Sequence, residues 1–392
     1  MSQEIVHIKG DRVIWMVVII LSIFSLLAVY SSTGTLAYKY QQGNTLYYMF
    51  KHLIILSFGF ALMYVTHRIK YTYYSRIFQI ALYIAIPLLI ITYFFGVDVN
   101  EAKRALPLPF GLTFQASDLA KLTLVMYLAR ILTKIQDEPQ DFRSLMVPVM
   151  LPILVICGLI MPGNLSTALM LFITSLVLLF IGRIRMRYIF NLIGIAIAAA
   201  ILYILVLMLL PSERQGRLET WKHRIEQFFN GGGQEEDQVL QSKIAVASGG
   251  FLGKMPGNST QRNFLSHPYS DFIFAIILEE YGLLGGAFVV LLYMILLFRA
   301  VRIVTKMPRT FGALLTIGVA FLLVFQALIN MGVAVDLLPV TGQPLPLVSM
   351  GGTSIWFTSI AIGILLSASR EVSKGETGEG PREETQEEYV TA

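Results

Sequence analysis

The sequence predicts an all-α polytopic membrane protein with about ten transmembrane helices. Three observations carry that reading. The chain has 392 residues, 55% hydrophobic and only 14% charged, against roughly 25% charged in soluble domains, and its mean hydropathy is +0.67. Its apolar residues fall in runs that suit the ~20 residues a helix needs to cross a bilayer, without the ten-residue alternation of a membrane barrel. Basic residues concentrate in alternate loops, which fixes an orientation.

The runs can be taken in order. The first, 13–32, has no small-residue cleavage site and is too long for a signal peptide core, so it reads as a retained helix. Runs 50–66 and 76–96 follow, separated by a basic turn. The fourth, 116–133, opens with Asp118 and Lys121, three residues apart and so on one helix face. Runs 145–161 and 165–182 are joined by a short turn, and 187–210 follows the cluster "GRIRMR" at 182–187, read as a topology anchor. The last three are 271–298, 310–333 and 350–368.

Placing the N-terminus in the cytoplasm puts 18 of the 30 basic residues on the cytoplasmic side, so both termini are expected there. Residues 1–370 then form one membrane domain. Residues 371–392, rich in glutamate and poor in apolar residues, form a disordered cytoplasmic tail.

One loop is far longer than the rest. Residues 211–270 lie outside, between the seventh and eighth runs, and long irregular loops tend to be functional. Within it, 217–229 has the spacing of an amphipathic helix lying in the interface plane. The stretch 231–238 is a flexible break, and 239–250 is a short helix ended by its glycines.

Composition also excludes. No basic cluster is interleaved with aromatics, so nucleic acid is not a partner. Cys157 is the single cysteine, so no disulfide forms within the chain.

Charges at membrane depth cost a few kcal/mol and are functional suspects. Asp118, Lys121 and Asp271 sit at one depth, at the outer ends of their runs. Glu279 and Glu280, counted along a straight helix, lie roughly 12–14 Å below Asp271 and read as structural. The proline- and glycine-rich stretches 101–121 and 336–354 are non-helical, which membrane depth tolerates only against protein or a water-filled cavity. These features converge on the outer face. An acidic base beside Arg104 and Lys121 suits a substrate with an anionic headgroup and a hydroxyl to activate.

Several segments resemble the SEDS family (shape, elongation, division and sporulation). They are "KRALPLPFGLTFQASDLAK" (103–121), "QSKIAVASGGFLGK" (241–254), "NSTQ" (258–261), "SDFIFAIILEEYGLLGG" (270–286) and "LLPVTGQPLPLVSMGGTS" (337–354). The similarity spans nearly the whole chain, and the form of the last segment looks more like the division members than the elongation members. The resemblance implies a SEDS-type fold. It also implies a peptidoglycan glycosyltransferase that polymerises lipid II into a nascent glycan strand at the outer face of the cytoplasmic membrane. The implied partners are a class B penicillin-binding transpeptidase and other division proteins, at the septum. The family's essential aspartate matches Asp271. Its glutamine-to-lysine motif matches Gln115, Ser117, Asp118 and Lys121, and Arg104, Lys243 and Gln261 are further substrate-binding candidates within the matching segments. A divalent cation, Mg or Mn, is an expected aid to the departing pyrophosphate, with no ligands assigned.

The chain departs from the family pattern at four places. Ala105 stands where many members have tryptophan, Ala116 replaces proline, Asp118 replaces glutamate, and Asn164 stands where aspartate is common. Other readings remain open: a lipid II flippase, the elongation polymerase, or a scaffold that only recruits the transpeptidase.

Overall fold

The structure is a computed structural model, described here for residues 10–99, 102–108, 112–136, 141, 145–208 and 236–376. The interfacial helix expected at 217–229 lies outside the described residues, as do residues 377–392 of the tail expected from 371; residues 371–376 are helical, a continuation of the last membrane helix rather than the start of a disordered tail.

Twelve helices make up the described chain: α1 (Arg12–Ser32), α2 (Gly34–Tyr40), α3 (Thr45–Arg68), α4 (Tyr74–Phe95), α5 (Ala116–Ile135), α6 (Leu151–Ile160), α7 (Leu165–Ile181), α8 (Met186–Met208), α9 (Glu236–Gly249), α10 (Ile273–Val304), α11 (Thr310–Ala334) and α12 (Gly352–Glu376). Each expected run is helical. Seven helices are long and apolar enough to cross a membrane, and Met146–Ile160 and Leu165–Ile181 are shorter apolar helices. The remaining run, α5, is long enough, but Asp118, Lys121, Arg130 and Lys134 are spread through its 20 residues. It is also central, with Ala120 through Ala129 buried without interruption, so Asp118 and Lys121 face protein rather than lipid. By contrast α8 is largely exposed.

Packing follows the apolar faces. α3 lies along α12, α10 along α11, and α4 and α11 both pack on α5. One contiguous core joins most of these helices. Two local devices were not legible from the runs. A π-helical turn, Met146–Met150, leads into α6. The stretch before α5 is a small antiparallel meander, β1 (Val97–Val99), β2 (Ala102–Leu108) and β3 (Leu112–Phe114), where the all-α reading expected an irregular loop. In it Ala105 faces Val97 and is buried, so a small side chain fits where other members carry tryptophan.

The eighth run needs a correction. α10 extends from Ile273 to Val304, and Gly282 breaks it with φ 67° and ψ −169°. A positive φ is cheap only for glycine. Leu278 and Phe274 come back against Gly286, so the stretch 273–281 that carries Glu279 and Glu280 and the stretch 283–304 are not one straight helix. The segment 249–255 crosses the break. Lys254 and Met255 donate to the carbonyls of Glu279 and Glu280 at 2.9 and 3.0 Å, and Leu283 and Leu284 donate to Gly250 and Phe251 at 2.9 and 3.3 Å. A Cβ at Gly249, Gly253 or Gly282 would run into the opposite backbone, which is why this crossing is built from glycine.

Candidate active site

The site begins where the meander hands over to α5. The Gln115 N–H donates to Thr353 Oγ1 at 3.3 Å, and that hydroxyl donates to the Thr113 carbonyl at 3.0 Å. The start of α12 thereby fixes the start of α5. The Gln115 side chain donates to Ser117 Oγ at 3.0 Å. Asp118 lies in the first turn of α5, where the helix dipole favours a carboxylate. One turn on, Lys121 pairs with it at 2.8 Å, and both side chains are about 95% shielded, with 5–6% exposed. The ammonium also donates to Gln326 Oε1 of α11 at 3.1 Å, and Gln326 donates to the Pro344 carbonyl at 2.9 Å. Asp118 Oδ2 is buried with no hydrogen-bond partner among the described residues. Such a group is costly to leave unsatisfied, so the pair is not a closed structural clamp.

Asp271 closes the loop ahead of α10. Ser270 Oγ donates to its Oδ1 at 2.8 Å. Its backbone is held on the same element that receives Gln326. Asn330 Nδ2 donates to the Asp271 carbonyl at 2.9 Å and to the Gln343 carbonyl at 2.7 Å. Ser349 donates to the Ser270 carbonyl at 2.6 Å, and the Met350 N–H to the Tyr269 carbonyl at 2.8 Å. Gln343 reaches across to Thr167 of α7 at 2.5 Å. Burial, then the Asp271 carboxylate with Tyr40 and Tyr48, push the Tyr269 phenol up, so it stays neutral beside the site.

Lys121 and Asp271 are therefore joined through one loop, 336–351, by two buried amide side chains of α11. Gln326 and Asn330 are four residues apart and share a helix face. Reading the runs by hydropathy missed both. Two amides at that spacing inside an apolar helix were the available signal, because a bundle interior is where such groups find partners.

The structure brings three further candidates into one cleft. Arg104, Gln115 and Ser117 line it with Tyr93 and Asn164. Arg104 Nε donates to the Gly163 carbonyl at 2.8 Å. Asn164 caps α7 by accepting from the Thr167 N–H at 3.1 Å, while its Nδ2 is buried without a partner. Asparagine thus fulfils the capping role aspartate would have there, and keeps a donor aimed into the protein.

Two candidates lie elsewhere. Lys243 of α9 pairs with Asp336 just past α11. Gln261 donates its N–H to Glu279 at 3.2 Å. Glu279 is fully buried and also receives Ser248, Lys254, Ser259 and both donors of Thr260. Glu280 receives the Ser31 hydroxyl and the Ser259 N–H. These glutamates anchor the long loop to α10, in keeping with a structural role. Among the described residues no group of three or more His, Cys, Asp and Glu could hold a metal, and Asp118 is already matched by Lys121.

Comparison with known proteins identifies the family and the fold. A family model described as cell cycle protein, covering FtsW, RodA and SpoVE, matches residues 11–374. The probable peptidoglycan glycosyltransferase FtsW of Trichlorobacter lovleyi is 31% identical over 369 residues, 92% of this chain and 93% of that protein. Stage V sporulation protein E of Bacillus subtilis is 28% identical over 92% of this chain and 97% of its own. Among solved structures, a peptidoglycan synthase complex that coordinates polymerization and crosslinking matches with TM-score 0.73 at 23% identity, over 93% of this chain and 98% of that one. RodA of Thermus thermophilus matches with TM-score 0.63, also at 23% identity, over 94% and 99%. The protein belongs to the FtsW/RodA/SpoVE family of cell cycle proteins.

Proposed function

We propose that this chain is a peptidoglycan glycosyltransferase that polymerises lipid II at the outer face of the cytoplasmic membrane, for septal wall synthesis. The observation that carries the reading is the joining of Asp271 and Lys121 through Gln326, Asn330 and loop 336–351. A base and a cation tied to one loop through two buried amides suit a displacement that needs both. The named relatives support the activity, and a glycosyltransferase rather than a transporter fits ionisable groups gathered at one end of the bundle instead of its midplane.

Chain growth joins a GlcNAc 4-hydroxyl to the anomeric carbon of a lipid-linked MurNAc. Asp271 takes the hydroxyl proton as the new carbon–oxygen bond forms, a contribution of roughly 10²–10⁴-fold. The bond from the anomeric carbon to the pyrophosphate oxygen breaks, and undecaprenyl pyrophosphate leaves with both electrons. Lys121 and Arg104 stabilise its growing charge. A single displacement inverts the anomeric centre. Gln115 and Ser117, in the cleft with Arg104, orient the headgroup, while Lys243 and Gln261 contribute by fixing the loop over it. Both termini lie in the cytoplasm, and a class B penicillin-binding transpeptidase crosslinks the product.

Purified protein incubated with lipid II, with and without that transpeptidase, tests this. Glycan polymer is the expected product. Movement of lipid II across vesicles without polymer would make the chain a flippase, and neither would make it a scaffold.

A further inference from the structure

At the end of the bundle opposite Asp271, a cleft takes no part in the proposed reaction. Arg12, Arg299, Arg302 and Lys306 line it with Asp11 and Ser369, around a space of about 340 Å³, within the ~300–1,000 Å³ common for ligand sites. Among the described residues that line it, four are cationic and one is a carboxylate, and that carboxylate is committed to Arg299 and the α1 cap. Asp11 Oδ1 caps α1 by accepting from Val13 and Ile14 at 2.9 and 3.2 Å. Its Oδ2 takes Arg299, whose Nε stands at 2.8 Å. The Asp11 N–H donates to Ser369 Oγ of α12 at 3.0 Å. The walls of the cleft are therefore pinned to one another across α1, α10 and α12, and the space between them is preformed.

The rim has a second feature. Arg12 and Arg302 are exposed, and each ends an exposed apolar stripe. On α1, Met16, Ile19 and Ile23 follow Arg12 at helical spacing. On α10, Leu291 and Phe298 precede Arg302 on the same face. Apolar side chains exposed on bundle-spanning helices face lipid tails, and the cations stand where the headgroups begin. A basic turn that only fixes topology needs neither a recess nor stripes running away from it. Basic pockets between membrane helices take phosphate headgroups, and a net positive excess selects anionic lipid over zwitterionic.

We propose that this cleft binds the phosphate of an anionic phospholipid, whose acyl chains lie along the exposed stripes of α1 and α10. The full-length protein in nanodiscs of phosphatidylcholine, with or without phosphatidylglycerol, provides the test, read by native mass spectrometry and by melting temperature. Phosphatidylglycerol is expected to be retained and to raise Tm. Arg12→Gln with Arg302→Gln should lower retention roughly thirtyfold, the factor two cations at an anionic surface imply, and abolish the Tm gain. Arg185→Gln with Arg187→Gln removes the same charge from an exposed segment outside the cleft and should change neither. Equal loss in that control, or undiminished retention in the cleft variant, overturns the proposal. The single variants Arg12→Gln and Arg302→Gln give the same reading if the double variant does not fold. Inorganic phosphate added to phosphatidylcholine discs should leave Tm unmoved. A rise matching that from phosphatidylglycerol would assign the cleft to a soluble anion and overturn the lipid.

Discussion

Asp118 and Glu279 are both carboxylates buried in the helical bundle, each with a lysine partner, and they are treated in opposite ways. Glu279 is saturated: Lys254, two hydroxyl side chains of the same loop, Ser248 and two backbone N–H groups all point at it. Asp118 has Lys121 on one oxygen and, among the described residues, nothing on the other. A buried carboxylate with every lone pair occupied holds structure together and has no capacity left. One with an open oxygen, beside a cation tied to Asp271 through a shared loop, retains capacity for a substrate. Charge at membrane depth alone does not separate the two cases; the state of the lone pairs does.

The largest test of this contrast bears on the site that Asp118 serves. Asp271→Asn keeps the size and the Ser270 contact but cannot take a proton. Glycan synthesis by the purified variant should fall at least ~10²-fold at unchanged melting temperature. Activity within a few-fold of wild type would remove Asp271 from the chemistry. Next, Lys121→Ala should abolish most activity and also destabilise the protein by about 3–5 kcal/mol, since Asp118 is left buried and unpaired. Lys121→Arg should do both less. Full activity with an unmoved Tm would show that the pair is dispensable.

Glu279→Ala inverts the pattern. It strands Lys254 and several loop donors, so stability should fall by about 3–5 kcal/mol, while the activity of the fraction whose loop stays docked on α10 stays within a few-fold of wild type. A stable but inactive variant would move Glu279 into the chemistry and erase the contrast. A smaller effect is expected from Asn330→Ala, which frees the Asp271 carbonyl but no charge: about tenfold in kcat for glycan synthesis, with KM for lipid II little changed. A change in KM alone would make Asn330 a binding residue. The smallest effect belongs to deletion of residues 377–392, after which glycan synthesis should be unaltered. An inserted but inactive truncation would put those residues at the site and reverse the assigned orientation.

The sequence carried the helices and their order, because long apolar runs leave a bilayer-spanning chain few alternatives. Asp118, Lys121 and Asp271 were legible for the same reason: charge is conspicuous against an apolar background. What escaped was relational. Gln326 and Asn330 are uncharged and pass unnoticed in a hydropathy average, yet they connect the two halves of the site. The meander hid behind prolines that read as irregular loop. The reading of 271–298 as one run assumed a straight helix, and Gly282 shows itself as a break only when Gly249 and Gly253 are seen against it.

That break bears on biogenesis. Beyond Gly282, residues 283–304 supply about 33 Å of helix at ~1.5 Å per residue, enough to cross a ~30 Å hydrocarbon core without help. The stretch before Gly282, which bears Asp271 at its head, is not needed for crossing. Insertion and assembly of the site thus become separable events. The membrane segment can cross without the glycine-lined crossing of 249–255, which ties the backbone of 279–284 and so sets the direction of the stretch that leads back to Asp271. A defect in that crossing, such as a side chain at Gly253, should therefore yield a correctly threaded protein whose active centre never forms.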